Sequence, residues 1–441
     1  MNKKILQLTI PNIVTNITVP LLGMVDMAIV GHLSLKHIAA ITIGTSIFNL
    51  IYWNFGFLRM GTSGLAAQAY GARSFFEAVR IFIRSFAIAL SIALFLIVFQ
   101  IPISKLAFYI IPSESEIQQL AFSYFSIRIW AAPATLGLYA LKGWFIGMQN
   151  SKTPMWIAIF INILNIVFSL LFVLVLKMDI AGVAWGTVIA QYGGIIVGLL
   201  IGYKYYGKLF RRYWDIKNSL KLSEMKKFFH INADIFIRTF CLAVVFTFIT
   251  AASSKISTEV LAINSLLLQF FTLFSYIMDG FAYAGESLVG RYIGAKDEYQ
   301  LNKAIRYLFR WGFALCFVFT LMYAMFGEVF LTLFTNETNI IEMTQPYFIW
   351  VLIMPICGFA AFLWDGIYVG ATASKEMRNS MLVATFAFFA IYYVSNYFIS
   401  NAAISDMIYW QNNSLWIAFL GYLLLRGVMQ WIYSAKAVKV K

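Results

Sequence analysis

Long apolar stretches separated by short polar ones recur along this chain, centred near residues 20, 50, 90, 130, 165, 190, 240, 273, 315, 355, 390 and 425. A membrane-spanning helix needs about 20 mostly apolar residues, and each stretch reaches that length. Several run longer, which predicts tilt or extension past the lipid. The pattern therefore predicts twelve transmembrane helices. It breaks at the middle, where Lys204 to Lys227 holds eight basic residues and two acids with Tyr and Trp at its edge. That segment reads as a cytoplasmic linker and interface helix.

The two sides of the linker repeat one another at an offset of 223 residues. Gly71-Ala72-Arg73 answers to Gly294-Ala295-Lys296, and Ser151-Lys152 to Ser374-Lys375. Gly143-Trp144-Phe145-Ile146-Gly147 answers to Gly366-Ile367-Tyr368-Val369-Gly370, Ser34 to Ser257 and Ala39 to Ala262. One such pair is chance in so apolar a chain; a shared offset across three helices points to duplication. The expected fold is all-α and polytopic, with twelve helices in two pseudo-symmetric six-helix bundles. Residues 1–205 form one lobe, 206–225 the linker and 226–441 the other lobe. Paired bundles meeting at a midplane site are an architecture of alternating-access carriers, although an old duplication in any polytopic protein leaves the same trace.

Composition agrees with the pattern. Of 441 residues 61% are hydrophobic and 12% charged, about half the charge density of a soluble domain. A net charge of +14 suggests nucleic acid until its distribution is read. With a cytoplasmic N-terminus, most Lys and Arg fall on the cytoplasmic side and only Lys36, Lys105, Lys177 and Lys255 fall outside. This is the positive-inside bias, so the surplus orients the protein and no nucleic-acid partner is expected. Cys241, Cys316 and Cys357 lie in apolar helices, which argues against a disulfide framework. His32, His37 and His230 are scattered without metal-ligand spacing, so no metal or other cofactor is expected. The start MNKKILQLTI has no small-residue cleavage site, so no removable signal peptide is read. No phosphate-binding G-x-x-x-x-G-K-[ST] loop occurs. No nucleophile–base pair or metal cluster marks an enzyme.

Between Lys4 and Lys36 the single acid is Asp26. A carboxylate inside a span costs roughly 2.5–3.5 kcal/mol on insertion scales and so tends to line a cavity, pair or carry protons. Low dielectric disfavours the charged form of any carboxylate, which lets such a group exist protonated or empty near neutral pH. Asp26 lies about 27 Å up the helix from Leu8 at 1.5 Å per residue. Asn12, Asn16, Gly23 and Asp26 fall near one helical stripe, expected to face a cavity rather than lipid. Pro20, six residues before Asp26, removes a backbone bond and is a candidate hinge. The plain alternative is an acid satisfied by neighbouring hydroxyls without a transport role.

A second set lies in the other half. Tyr276, Asp279, Tyr283 and Glu286 share one helix face, and Arg238, Asp234 and Arg59 are the charges expected to pair with them. The set is either a second proton site or a structural network, and the latter is the commoner use of paired buried charges. Lys142 and Asp365 occupy equivalent repeat positions with opposite sign and are expected to pair. Arg426 reads as snorkelling or structural. The 42 Phe, 24 Tyr, 12 Trp and 17 Met suit an adaptable pocket, but most must face lipid or neighbouring helices. Met24 and Met27 beside Asp26, and Tyr52 with Trp53, are the pocket candidates.

Specific strings carry a family resemblance across both halves. They are NITVPLLGMVDMAIVGHL (16–33), FLRMGTSGLAAQAYGAR (57–73), NADIFIRT (232–239), DGFAYAGES (279–287), WDGIYVGATASKEMRNSM (364–381) and LWIAFLGYLLLRG (415–427). In these the chain closely resembles the DinF branch of the multidrug and toxic compound extrusion (MATE) family. The resemblance implies twelve helices in two lobes around a V-shaped cleft. It also implies export of amphipathic, often cationic compounds against an inward flow of protons or sodium. In that branch the acid of the first helix is the coupling and substrate-sensitive residue, and the matching position is Asp26. Thr187 matches the sixth-helix threonine of some proton-coupled relatives. Their Asn-x-x-x-Asp on the fifth helix is here Asn165 followed by Ser169, so the resemblance implies Asn165 and Thr187 as candidate hydrogen-bond partners of Asp26, though interhelical packing of polar residues accounts for them nearly as well. The sodium-dependent NorM branch has an acid within its seventh helix, and residues 235–254 contain none.

The expected function is thus a proton-coupled antiporter of the bacterial inner (plasma) membrane, with both termini cytoplasmic. It exports small cationic or amphipathic compounds and works as a monomer among membrane lipids. The rivals are a lipid-linked oligosaccharide flippase or a sodium-coupled antiporter of the same superfamily, and a channel. A flippase needs more basic residues along its cavity than Arg59, Arg128 and Lys142.

Overall fold

The computed structural model of the chain describes residues 1–31, 34–111, 114–335, 337–401 and 406–439; His32 lies outside them. Among the described residues every regular element is helical. The chain divides into two compact units, one of residues 7–232 and one of residues 233–441 with residues 1–6.

The first unit is built from α1 (Asn2–Gly31), α2 (Leu35–Asn54), α3 (Phe57–Gly71), α4 (Phe75–Val98), α5 (Gln100–Ile110) and α6 (Ser115–Arg128). It continues with α7 (Ala132–Gly147), α8 (Lys152–Leu170), α9 (Asp179–Tyr213) and the short α10 (Ile216–Ser219). In the second lie α11 (Leu222–Ile256) from Ala233 onward, α12 (Thr258–Gly294), α13 (Glu298–Phe334), α14 (Thr338–Thr344), α15 (Phe348–Gly370), α16 (Ser374–Asn401) and α17 (Met407–Ala437). Eleven elements among the described residues are long and apolar enough to cross a membrane. The remaining element of the predicted twelve is α6–α7, broken by a 3-10 turn at Ile129–Ala131 just before Pro133. Proline sits well in a first helical turn but cannot supply an amide further in.

Apolar residues face outward as well as inward, as a bilayer requires. On α13, Gly312, Cys316, Phe319, Tyr323 and Gly327 are buried, while Phe313, Phe317, Leu321 and Met325 are exposed at four-residue spacing. Both faces of this helix are apolar, so one packs on protein and the other has only lipid to meet.

The 223-residue repeat extends to the backbone. Ser34 and Ser257 cap α2 and α12 with the same extended conformation, each accepting from the amide three residues on. Arg73 and Lys296 are left-handed at φ 54° and 55°, and Gln149 and Thr372 at 64° and 53°. Gly143 lies against the Arg59 carbonyl and Gly366 against the Ala282 carbonyl, where a Cβ would collide. Arg59 and Ala282 are themselves repeat equivalents. These glycines let α7 close on α3, and α15 on α12.

Most of the expected linker, residues 206–225, is helix continued from either side. α9 continues without interruption to Tyr213, and α11 begins at Leu222. Between them Asp215 caps α10, its side chain accepting from the Asn218 amide at 3.1 Å. Arg84 of α4 clamps the turn: its Nε donates to the Ser219 carbonyl at 2.9 Å, and the guanidinium meets Glu77 at 2.7 Å and Glu224 at 3.2 Å.

Candidate functional site

Helix α1 is held along its length by polar contacts to later helices of its unit. Near its start the Asn12 amide donates to Leu8 O at 2.8 Å and to Ser151 Oγ at 3.0 Å. In the middle, Asn162 of α8 donates to the Thr18 carbonyl at 3.1 Å. Towards its end Thr187 of α9 meets Asp26 Oδ2 at 3.4 Å. Pro20 lies between the last two ties, within the continuous helix, and has no amide to offer the carbonyl of Asn16.

Asp26 is 2% exposed. The Asn165 amide donates to Thr187 Oγ1 at 3.1 Å and lies 3.5 Å from Ser169 Oγ. The chain of contacts therefore runs Ser169–Asn165–Thr187–Asp26 across α8, α9 and α1. Asp26 Oδ1 is also buried and has no donor in hydrogen-bonding geometry. A carboxylate normally recruits several donors when buried, so this one retains capacity for a proton or a cationic group. Arg128 is close enough to act on it electrostatically. Its guanidinium is hydrogen-bonded to the Tyr124 hydroxyl and lies 5.1 Å from the centre of the Phe48 ring.

Other sequence candidates spread out. Asn16 is buried on the same face of α1. Gly23 leaves open space, with no atom within 4 Å of where a Cβ would stand. Met24 and Met27 are 65% and 42% exposed. Met24 stands about 200° around the helix from Asp26, so it points away from the carboxylate. Neighbours in sequence do not share a face of a helix. Tyr52 is buried and stacked on Phe48 at 5.6 Å, whereas Trp53 is exposed.

In the second unit one cluster of ion pairs centres on Asp365 of α15, a residue outside the α12 set of Tyr276, Asp279, Tyr283 and Glu286. Both Arg238 of α11 and Arg426 of α17 reach Asp365 Oδ2, and Gln430 donates to Oδ1 at 2.6 Å. Asp365 thus finds its cations within its own unit, where sequence reading looked to Lys142. Arg426 is 2% exposed, so it is a buried strut and does not snorkel. Asp234 pairs with Arg378 at 2.7 Å and accepts from Ser374 at 2.8 Å. Its expected role beside Asp279 and Glu286 is replaced by a tie between α11 and α16. Glu286 is buried, Tyr283 is half-buried, and Asp279 acts on Arg426 and Tyr276 electrostatically. Arg59 is 9% exposed on α3. Gln430 is the contributor that sequence reasoning missed, and Arg128, named there only as a cavity cation, was not related to Asp26. Arg128 was legible as a membrane cation, but no spacing relates it to Asp26 on another helix.

The MatE family profile matches residues 11–171 and 235–404, falling on both halves of the repeat. The DNA damage-inducible protein F of Escherichia coli is 33% identical over 97% of this chain and 90% of its own. Solved structures share the fold at low identity. The Vibrio cholerae MATE transporter VcmN in the bent form superposes with a TM-score of 0.83 at 18% identity, over 99% of this chain and 96% of that one. An outward-facing multidrug resistance MATE transporter of the MOP superfamily gives 0.83 at 17%, over 99% and 95%. A profile spanning both repeats and a relative one-third identical along nearly the whole length place this chain in the MatE family of membrane transporters.

Proposed function

We propose that the protein is a secondary active exporter of cationic or amphipathic compounds, driven by proton antiport through Asp26. The observation that carries this reading is a nearly fully buried carboxylate with one oxygen tied to Thr187 and the other without a donor. Relatives named for multidrug resistance support the substrate class. Asn165, Thr187 and Arg128 act as positioning residues. The absence of an acid from residues 235–254 favours protons over sodium. The protein works in the bacterial inner membrane as a monomer, with both termini cytoplasmic.

In this reading ionised Asp26 favours the state that holds a cation, and a proton arriving from outside neutralises it. The neutral acid no longer needs the Thr187 hydroxyl, which turns wholly to its own helix carbonyl at Val183, 3.1 Å away. Losing that tie frees the part of α1 beyond Pro20 while Asn12 and Thr18 stay anchored. Coupling requires a difference in affinity between the two states, and about 1.4 kcal/mol gives tenfold.

The test uses purified protein in liposomes, with dye efflux driven by either a pH or a sodium gradient. A pH gradient alone is expected to drive efflux, and Asp26→Asn to abolish it. Efflux driven only by sodium would make the ion wrong, and undiminished efflux by Asp26→Asn would make the residue wrong.

A further inference from the structure

Helix α9 has 35 residues, about 52 Å at 1.5 Å per residue, against a hydrocarbon core of about 30 Å. Its last turns, from Tyr203 to Tyr213, therefore emerge into the headgroup layer. There Lys204, Lys208, Arg211 and Arg212 are all exposed. Among the described residues none of the four has a carboxylate partner. The nearby acids are engaged elsewhere: Asp215 faces Arg80 at 3.6 Å, and Glu224 faces Arg84 at 3.2 Å. Arg211 is laid along the helix, its Nε donating to the Tyr203 hydroxyl at 2.8 Å with its guanidinium 5.2 Å from that ring's centre.

The same segment exposes apolar surface. Tyr205, Trp214, Ile216 and Leu222 are 67%, 51%, 50% and 85% exposed. Lys217 and Lys221 add two more exposed cations between them. Unpaired cations require anions, and exposed Trp, Ile and Leu require a non-aqueous neighbour. An interface of anionic headgroups over acyl chains supplies both at once. A soluble acidic partner supplies only the first, and the segment is held at the bilayer surface by the span it continues.

We propose that residues 203–222 form a docking surface for anionic phospholipid of the leaflet they adjoin. Lys204, Lys208, Arg211 and Arg212 receive the phosphates, and Trp214, Ile216 and Leu222 enter the acyl boundary. Anionic lipid then adds a membrane tie to the linker that Arg84 clamps to α4.

The test places an environment-sensitive fluorophore on Ile216→Cys in full-length protein whose three native cysteines are replaced by serine. The solubilised protein is titrated with short-chain phosphatidylglycerol, phosphatidylcholine and inorganic phosphate. Saturable blue-shifted emission is expected with phosphatidylglycerol alone, weakening as salt rises from about 0.1 to about 0.5 M. At about 1 kcal/mol for each cation near the surface, Lys208→Gln/Arg211→Gln/Arg212→Gln weakens the response on the order of a hundredfold. The charge-retaining Lys208→Arg/Arg211→Lys/Arg212→Lys keeps it, and so does the control Lys105→Gln/Lys177→Gln/Lys255→Gln. Equal responses to the two lipids, an equal response to phosphate, or no loss in the neutralised triple would each overturn the proposal.

Discussion

The Thr187 hydroxyl lies 3.4 Å from Asp26 Oδ2 and 3.1 Å from the Val183 carbonyl of its own helix. It has one proton for the two acceptors, and it already accepts from Asn165. The hydroxyl thus links the charge on Asp26 to the backbone of α9 and the amide of α8.

Thr187→Val keeps the shape and removes the link. A hydrogen bond to a charged group contributes about 1.5–3 kcal/mol, so gradient-driven efflux is expected to fall at least about tenfold. Thr187→Ser, which retains the hydroxyl, should stay within about twofold. Initial rates of dye efflux from liposomes check both.

Gly143 and Gly366 are expected to reject any side chain. Alanine at either forces a methyl into a backbone carbonyl, and overpacking of this kind costs about 1–3 kcal/mol. Gly23, with open space around it, is the contrast: alanine there gains helix propensity of up to about 1 kcal/mol. Thermal unfolding in detergent should order the three, with Gly23→Ala melting at or above the parent.

Removing Arg426 leaves Asp365 with Arg238 as its one remaining ion-pair partner among the described residues. Loss of one member of a buried ion pair costs about 3–5 kcal/mol, so Arg426→Met is expected to be severely destabilising. Arg378→Met, whose pair with Asp234 keeps 28% and 15% exposure, should cost distinctly less. Denaturant midpoints of the two variants make the comparison.

The linker cap is expected to respond to acid. The Asn218 side-chain amide, then its backbone N–H and the Arg80 guanidinium, hold the Asp215 carboxyl below the usual range. A depressed folded-state pKa adds stability that is complete above the unfolded value and is lost as pH falls through the folded one. Amide exchange of residues 216–220, corrected for its intrinsic pH dependence, should stay protected at mildly acid pH. Protection should then fall below the ordinary Asp range. Asp215→Asn should remove that pH dependence.

Particular residues show what was legible and what was not. Asp26 stood out because an acid is rare in an apolar run, and Asn165 and Thr187 entered by family resemblance. The Ser34 and Ser257 caps and the Gly143 and Gly366 contacts follow a repeat that is visible in the letters. Met24 flanks Asp26 in the sequence, but residues two positions apart on a helix are about 200° apart around it, so the two side chains leave α1 on different faces. Asp365 was paired with Lys142 by repeat symmetry, although Arg238 and Arg426 are its actual partners.

By itself the sequence determined that the chain is helical, lies in lipid, is duplicated and carries an acid where acids are costly. These are properties of composition and period, set by each segment's own exchange between water and hydrocarbon. Only the tertiary structure decided which polar groups meet: Thr187 with Asp26, Arg426 with Asp365, Arg84 with the linker. A helix presents every face at some rotation, and the packing of its neighbours selects the one that a buried charge can use.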